Sequence, residues 1–256
     1  MITKSLLINH HYRNEVIHHI VEKDYKSVLD VGGAMGAWPN ATAQHFYKRD
    51  VLTAYMDYNA KSSIGVSHDT GALLFGGNMS NYWEWAEILE HVQSHGKFEF
   101  CICTQTLEDI RDPVTVLHML PKVAERGYID IPSKYLELTK GCEGNTLDPK
   151  TDIPDWGIHS PIYGFTGHRW IMNMIDNVLW VLPKLPFIEV IEDLEQYGPQ
   201  LSDGFAEKPT MPDSNGFLAF WWEGDEIPCK VVGDDFLGPN PPAVYNMYRE
   251  CLRKGL

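Results

Sequence analysis

The stretch over residues 25–38, YKSVLDVGGAMGAW, restricts the folds open to this chain more than any other. Val28, Leu29 and Val31 form a short apolar run with Asp30 near its end, and Gly32, Gly33 and Gly36 follow. Residues 41–47 then carry a helical pattern. A buried strand entering a helix through a glycine-rich turn is the nucleotide-binding start of a doubly wound α/β sheet. The glycines let the backbone approach a ligand closely, and the helix N-terminus offers unpaired N–H groups.

Two ligand classes use such a turn. A dinucleotide site asks for G-x-G-x-x-G, with the pyrophosphate on the helix N-terminus. The chain has Asp30-Val31-Gly32-Gly33-Ala34-Met35-Gly36, with the acid two residues before the first glycine. This arrangement resembles the first motif of the class I S-adenosylmethionine (SAM) methyltransferases. The resemblance implies that Asp30, Gly32, Gly33 and Gly36 surround the cofactor, the turn passing under its methionine and ribose parts. Ala34 departs from the pattern, standing where that family usually has a second glycine.

The chain has 256 residues, enough for one large domain, and 44% hydrophobic content fills a sizeable core. Its formal charge of −14, without a long Lys/Arg run, argues against nucleic-acid and anionic-membrane partners. The expected partner is a small-molecule substrate. Five scattered cysteines without a C-x-x-C pair suit a reducing compartment, and Cys101 and Cys103 fall on one face of a strand as core residues. No signal peptide or run of ~20 apolar residues stands out, so a cytoplasmic location is expected.

Residues 1–24 read as a leading helix, with Val16, Ile17, Ile20 and Val21 as its apolar stripe. His10, His11, His18 and His19 cluster there, but neighbouring residues on a helix point apart, which is poor chelating geometry. They read as surface or cofactor-covering residues, and no metal site is expected. Residues 51–58 form the second strand, ending in Asp57 about twenty residues past the last glycine, where a ribose-binding acid belongs.

Residues 73–75 make a third strand, followed by Gly76-Gly77-Asn78-Met79, and 82–92 an amphipathic helix. The family resemblance implies that Asn78, with the Met79 backbone beside it, meets the adenine. Trp83 and Trp85 could flank the ring, although aromatic residues on such a helix are more often core. Residues 98–103 form the fourth strand, running into Thr104-Gln105-Thr106-Leu107-Glu108-Asp109-Ile110-Arg111-Asp112-Pro113. This segment resembles the type-11 group of SAM methyltransferases, with Asp109 replacing the usual His. The likeness implies a segment that closes over the methionine end of the cofactor, Thr104 among its contacts, and faces the acceptor. Asp112 and Pro113 are a complete helix start, as N-cap and first helical residue.

Residues 126–131 are the fifth strand. The order β-α-β-β-α-β-α-β implies a largely parallel sheet covered on both faces. The resemblance covers about residues 25–135 and extends this to a Rossmann-like, doubly wound, mostly parallel seven-stranded sheet with an antiparallel last strand. Strands within 177–193 and over 216–223 fit its last two places, and 244–252 a closing helix. The whole chain, 1–256, reads as one domain with a lid or substrate-binding insertion at about 136–167.

His168 and Arg169 are expected to open a helix running to about residue 175. His168 suits a general base toward a hydroxyl or amine, and Arg169 a grip on a substrate carboxylate or phosphate. An ordinary helix start explains the same two residues. The leading reading is a SAM-dependent methyltransferase acting on a sugar or other metabolite, with S-adenosylhomocysteine as product. A non-catalytic SAM-binding scaffold and a nicotinamide-dependent oxidoreductase are the alternatives.

Overall fold

The computed structural model describes residues 1–8, 12–32, 52–57, 73–137, 164–165, 167–184 and 216–231. Strand β1 (Ile2–Ile8) leads into helix α1 (Arg13–Lys23), and β2 (Ser27–Val31) follows. Then come β3 (Leu52–Asp57), β4 (Leu73–Gly76), a 3-10 turn (Tyr82–Trp85) and α2 (Ala86–His95). The next elements are β5 (Phe100–Thr104), α3 (Pro113–Val123), β6 (Arg126–Pro132) and the short α4 (Lys134–Glu137). Strands β7 (Trp170–Ile175), β8 (Val178–Pro183), β9 (Phe217–Glu223) and β10 (Cys229–Val231) complete the described chain.

Seven strands form one sheet in the order β1-β9-β6-β5-β2-β3-β4. The pairs from β6 through β4 are all parallel, and β9 runs antiparallel to both β6 and β1. One reversed strand therefore stands among six that point the same way. From β2 the chain moves outward to β3 and β4 on one side, and then returns to β5 and β6 on the other. The carboxyl ends of β2 and β5 thus border a topological switch point, where an open α/β sheet forms its ligand crevice.

Alternation along the central strands builds two cores. Val28, Phe100, Ile102 and Tyr128 face Val16, Ile17 and Ile20 of α1. Leu29, Val31, Cys101, Cys103, Ile129 and Ile131 face the other way, toward Ile88 of α2 and Val116, Leu117, Leu120 and Val123 of α3. Helices thus cover both faces. Asp112 caps α3 as its sequence predicts, its Oδ1 accepting the Thr115 N–H at 3.1 Å, with Pro113 in the first turn.

Three expectations change. The leading segment is not one helix, because Ile2–Ile8 pairs with β9 and occupies the sheet edge. The helix expected from His168 is strand β7. Asp176 and Asn177 both take positive φ (50° and 59°) and close a two-residue hairpin on β8, a turn that Asp and Asn tolerate. Strand β8 consequently joins β7 and β10 in a separate three-stranded sheet rather than supplying the sixth place of the main one. The helices expected over 41–47 and 244–252 lie outside the described residues, as do Gly33, Gly36, Cys142 and most of 136–167. Among the described residues no helix is long and apolar enough to cross a membrane.

Candidate functional site

Register places three of the expected cofactor residues, Asp57, Gly32 and Thr104, in one row. Asp57 is level with Gly76, and the step before it pairs Met56 with Val31, so Gly32 follows beside Asp57. On the other side Asp30 is level with Ile102, which brings Thr104 beside Gly32, and Thr104 pairs with Asp130. Gly76, Asp57, Gly32, Thr104 and Asp130 therefore cross five neighbouring strands at their carboxyl ends. Asp30 and Thr104 are buried. Asp57 is placed here by its backbone.

Gly32 has φ +90° and donates its N–H to the Met56 carbonyl at 2.8 Å. A Cβ on it would lie 2.2 Å from Thr106 Oγ1, so a glycine is required for the loop after β5 to pack on the turn after β2. Gln105, at φ +48°, turns that loop and donates to Asp130 Oδ1 at 3.0 Å, while the Tyr128 hydroxyl donates to Asp130 Oδ2 at 3.1 Å. Thr106 Oγ1 donates back to the Thr104 carbonyl at 2.8 Å.

The loop carries Glu108 and Asp109 toward β7. Arg169 donates its backbone N–H to the Glu108 carbonyl at 2.6 Å, and Trp170 Nε1 donates to the Ile110 carbonyl at 2.8 Å. His168 is thereby set above the carboxyl ends of β5 and β6. Its Nδ1 lies 2.5 Å from Glu137 Oε1, and its Nε2 lies 3.6 Å from Asp109 Oδ1. Glu137 is wholly buried, and its Oε2 accepts from Lys184 Nζ at 2.8 Å. Lys184 Nζ also donates to the Phe165 carbonyl at 2.7 Å, and the Phe165 ring lies 4.8 Å from the imidazole. The cluster thus joins α4, β7, the end of β8 and the loop after β5.

A carboxylate accepts only, so Nδ1–H of His168 donates to Glu137, and Nε2 is turned toward Asp109. Glu108 is almost wholly buried and its Oε2 accepts no hydrogen bond from the described residues. Burial above all, with Asp109, Asp130 and Glu137 adding to it, holds its carboxyl well above the ordinary range, against an opposing backbone hydrogen bond. Asp109 is also raised by burial, with Glu137 adding and the positive charges of His168 and Arg169 opposing.

Other sequence-selected residues have structural work. Asn78 Oδ1 accepts the Ser80 N–H at 3.0 Å, and the Asn78 N–H donates to Glu84 Oε2 at 2.7 Å, so Oδ1 is committed to its own turn. The Met79 carbonyl accepts from the buried indole of Trp85 at 2.9 Å. Trp85 is core, whereas Trp83 is 80% exposed. Cys101 and Cys103 are fully buried, and burial pushes both thiols up, which suits inert packing. Among the described residues no three His, Cys, Asp or Glu side chains are placed so that they could hold a metal ion together.

His18 and His19 do not cover the strand ends. They line a cleft of about 550 Å³ with Tyr25, Phe100, Arg126 and Trp221, where β2, β5 and β6 begin. There the His19 ring packs edge-on to Trp221 at 4.6 Å. Burial, followed by the nearby Lys23 charge, lowers the pKa of His19 and favours its neutral ring.

Glu137, Lys184 and Glu108 escape a reading of the sequence. Glu137 and Lys184 stand 47 residues apart with no spacing to link them, and only the docking of the second sheet brings them together. The Asp176-Asn177 dipeptide between two apolar runs is the signal that reveals the hairpin bearing Lys184.

No family model and no curated protein matches the chain. Several solved structures show distant likeness. The methyltransferase domain of bacterial CtHen1 has 10% identity and a TM-score of 0.37, covering 48% of this chain and 66% of its own. The N-terminal domain of EvdMO1, solved with S-adenosylhomocysteine and D-fucose, has 13% identity and a TM-score of 0.36 over 70% of this chain and 63% of its own. The chain thus spans under two thirds of either. The O-methyltransferase TomG of Streptomyces achromogenes, in complex with SAM, has 11% identity and a TM-score of 0.37, covering 85% of this chain and 82% of its own.

Proposed function

We propose that this protein is a SAM-dependent methyltransferase acting on a small-molecule acceptor. The observation that carries the reading is the loop after β5, which packs on the Gly32 turn at one end and places Asp109 beside His168 at the other. One crevice therefore offers a cofactor turn and an oriented base.

The residues present fit an adenosyl cofactor. Asp30 and Gly32 end β2, Asp57 ends the neighbouring β3, and Thr104 ends β5, all at the switch point. Gly32 begins the turn beneath the cofactor, and Gly33 and Gly36, which follow it in the sequence, are proposed as further cofactor contacts. Asp57 takes the ribose hydroxyls, and Asn78 with the Met79 backbone borders the adenine, Asn78 through the turn it holds rather than through Oδ1. The bound sulfonium supplies an electrophilic methyl group whose C–S electron pair stays on sulfur as the acceptor forms its new bond.

The protein's part is alignment and proton removal. Glu137 holds Nδ1–H of His168, and Nε2 receives the proton of the acceptor. Lys184 keeps the buried Glu137 compensated, as a buried carboxylate requires. Arg169 is exposed and near Asp109, where it can hold an anionic part of the substrate.

Calorimetric titration with SAM, S-adenosylhomocysteine and NADH tests the cofactor, with Asp57→Ala as control. Micromolar binding of both adenosyl ligands, weakened at least tenfold in the variant, supports the reading. Binding of NADH alone points to an oxidoreductase, and binding of none to a scaffold.

A further inference from the structure

We infer that the cleft at the amino ends of the strands is a second ligand site, one that takes an aromatic ring bearing an anionic group. It lies at the opposite end of the strands from the crevice at Gly32, so it does not rest on the cofactor reading. The cleft holds about 550 Å³, a size usual for small-molecule sites, and is lined from α1, β1, β6 and β9.

Its floor is a continuous run of rings. Tyr25 stacks on Phe100 at 5.2 Å, Phe100 meets Trp221 at 5.7 Å, Trp221 meets Tyr128 at 5.2 Å, and Tyr128 stacks on Tyr12 at 6.3 Å. Phe100 and Tyr128 are buried, whereas Tyr12, Tyr25 and Trp221 are half-buried and line the cleft. Aromatic pairs gain energy beyond the area they bury, so this floor favours a flat aromatic ring over an aliphatic one.

Charge selects the group on that ring. Lys4, Lys23 and Arg126 line the cleft, and so do Glu15, Glu22 and Glu223. The totals cancel, but the positions do not. The His19 ring packs edge-on to Trp221, and the charges acting most strongly on it are Lys23, Glu22, Arg126 and Lys4. Three of these four are positive and come from three different elements. The field where imidazole meets indole therefore favours an anion.

The cations also have donors to offer. Arg126 Nη2 stands 3.6 Å from Glu223 and 3.7 Å from Glu125, too far for a hydrogen bond to either carboxylate. Glu223 is thereby offset in charge without occupying that nitrogen. Lys4 Nζ donates once, to the Tyr12 hydroxyl at 3.0 Å, and keeps two N–H groups. A ligand cation is the poorer match, because Lys4 already stands 5.6 Å from the centre of the Tyr12 ring.

Five probes separate ring from charge. 2-Naphthoate and 2-naphthyl phosphate carry the ring and an anion, 2-naphthalenemethanol the ring without charge, 2-naphthylmethylamine the ring and a cation, and decahydro-2-naphthoate the anion on an aliphatic frame. Calorimetry measures their binding to the full-length protein, with and without S-adenosylhomocysteine, and the ring resonances of His19 report the place. Both aromatic anions are expected to bind about tenfold tighter or more than the alcohol and the amine, the difference made by one hydrogen bond to a charged group. Naphthoate should exceed its decahydro counterpart about threefold or more. Lys4→Gln/Lys23→Gln, at two exposed side chains, should weaken the anions about fivefold and leave the alcohol unchanged. The tighter of the two anions tells a carboxylate ligand from a phosphate.

An amine that binds as well as the anions, a decahydro compound that equals naphthoate, or anion binding untouched by the double substitution overturns the inference. So does failure of both anions to bind, or their displacement by S-adenosylhomocysteine with the His19 resonances unmoved. Failure of S-adenosylhomocysteine itself to bind would remove the cofactor reading and leave the cleft as expected, so the two fall separately.

Discussion

Gly32 and Thr106 share a space that holds only one side chain. A Cβ on Gly32 would lie 2.2 Å from Oγ1, 2.5 Å from Cγ2 and 2.9 Å from Cβ of Thr106. The turn after β2 and the loop after β5 thereby lock together across the switch point. Gly32→Ala is expected to cost about 3 kcal/mol or more, from positive-φ strain added to overpacking. Gly32→Ala/Thr106→Ala should recover only part, since φ stays at +90°. Urea unfolding of the two variants and the parent checks the order.

Lys184 and Glu137 are an ion pair at zero exposure. Removing one partner strands a buried charge, so Lys184→Met is expected to lose about 3–5 kcal/mol. Lys184→Met/Glu137→Gln should regain most of it, because no charge is then left uncompensated. Denaturant midpoints of the single and double variants separate a true pair from two independent core residues.

Glu108 makes stability depend on pH with an unusual sign. Its folded pKa lies above the ordinary value of 4.5, so between those two values the folded state binds more protons than the unfolded one. Its contribution is present below the ordinary value and is lost as pH rises toward the folded one. Glu108→Gln, which stays neutral, should be at least as stable as the parent at pH 7 and lack this decline. Unfolding free energies measured at pH 4, 5.5 and 7 test it; a parent that gains on the variant with rising pH would contradict it.

Asp112 ties helix α3 to its neighbours. Its carboxylate accepts from the Thr115 N–H and hydroxyl, and its N–H donates to Ser80 Oγ at 3.1 Å. Asp112→Ala is expected to cost about 1 kcal/mol, and Asp112→Ser a few tenths, as caps generally do. Thermal melts resolve the difference.

Much of the fold was legible where local pattern and tertiary demand agree. The runs around Val28, Ala54 and Ile102 are short and apolar enough to be buried parallel strands, and Asp112-Pro113 announces a helix in any setting. The places of Asp30, Gly32, Asp57 and Thr104 at or near strand ends were legible because the apolar runs and the glycine after β2 mark where each strand stops. His168 was readable as a residue type, but its surroundings were not.

What the sequence by itself determined is therefore the central strands, their glycine turn and the caps, features set within a few residues by periodicity and backbone sterics. Tertiary structure decided the rest. Ile2–Ile8 is a strand because β9 presents an edge whose N–H and C=O groups need partners. His168 precedes a strand because the Asp176-Asn177 hairpin aligns β7 with β8. Glu137 and Lys184 can be buried only in each other's presence, and that presence is created by the second sheet docking beside the first. The energy of a buried charge depends on what stands a few ångströms away in space, which a linear pattern does not encode.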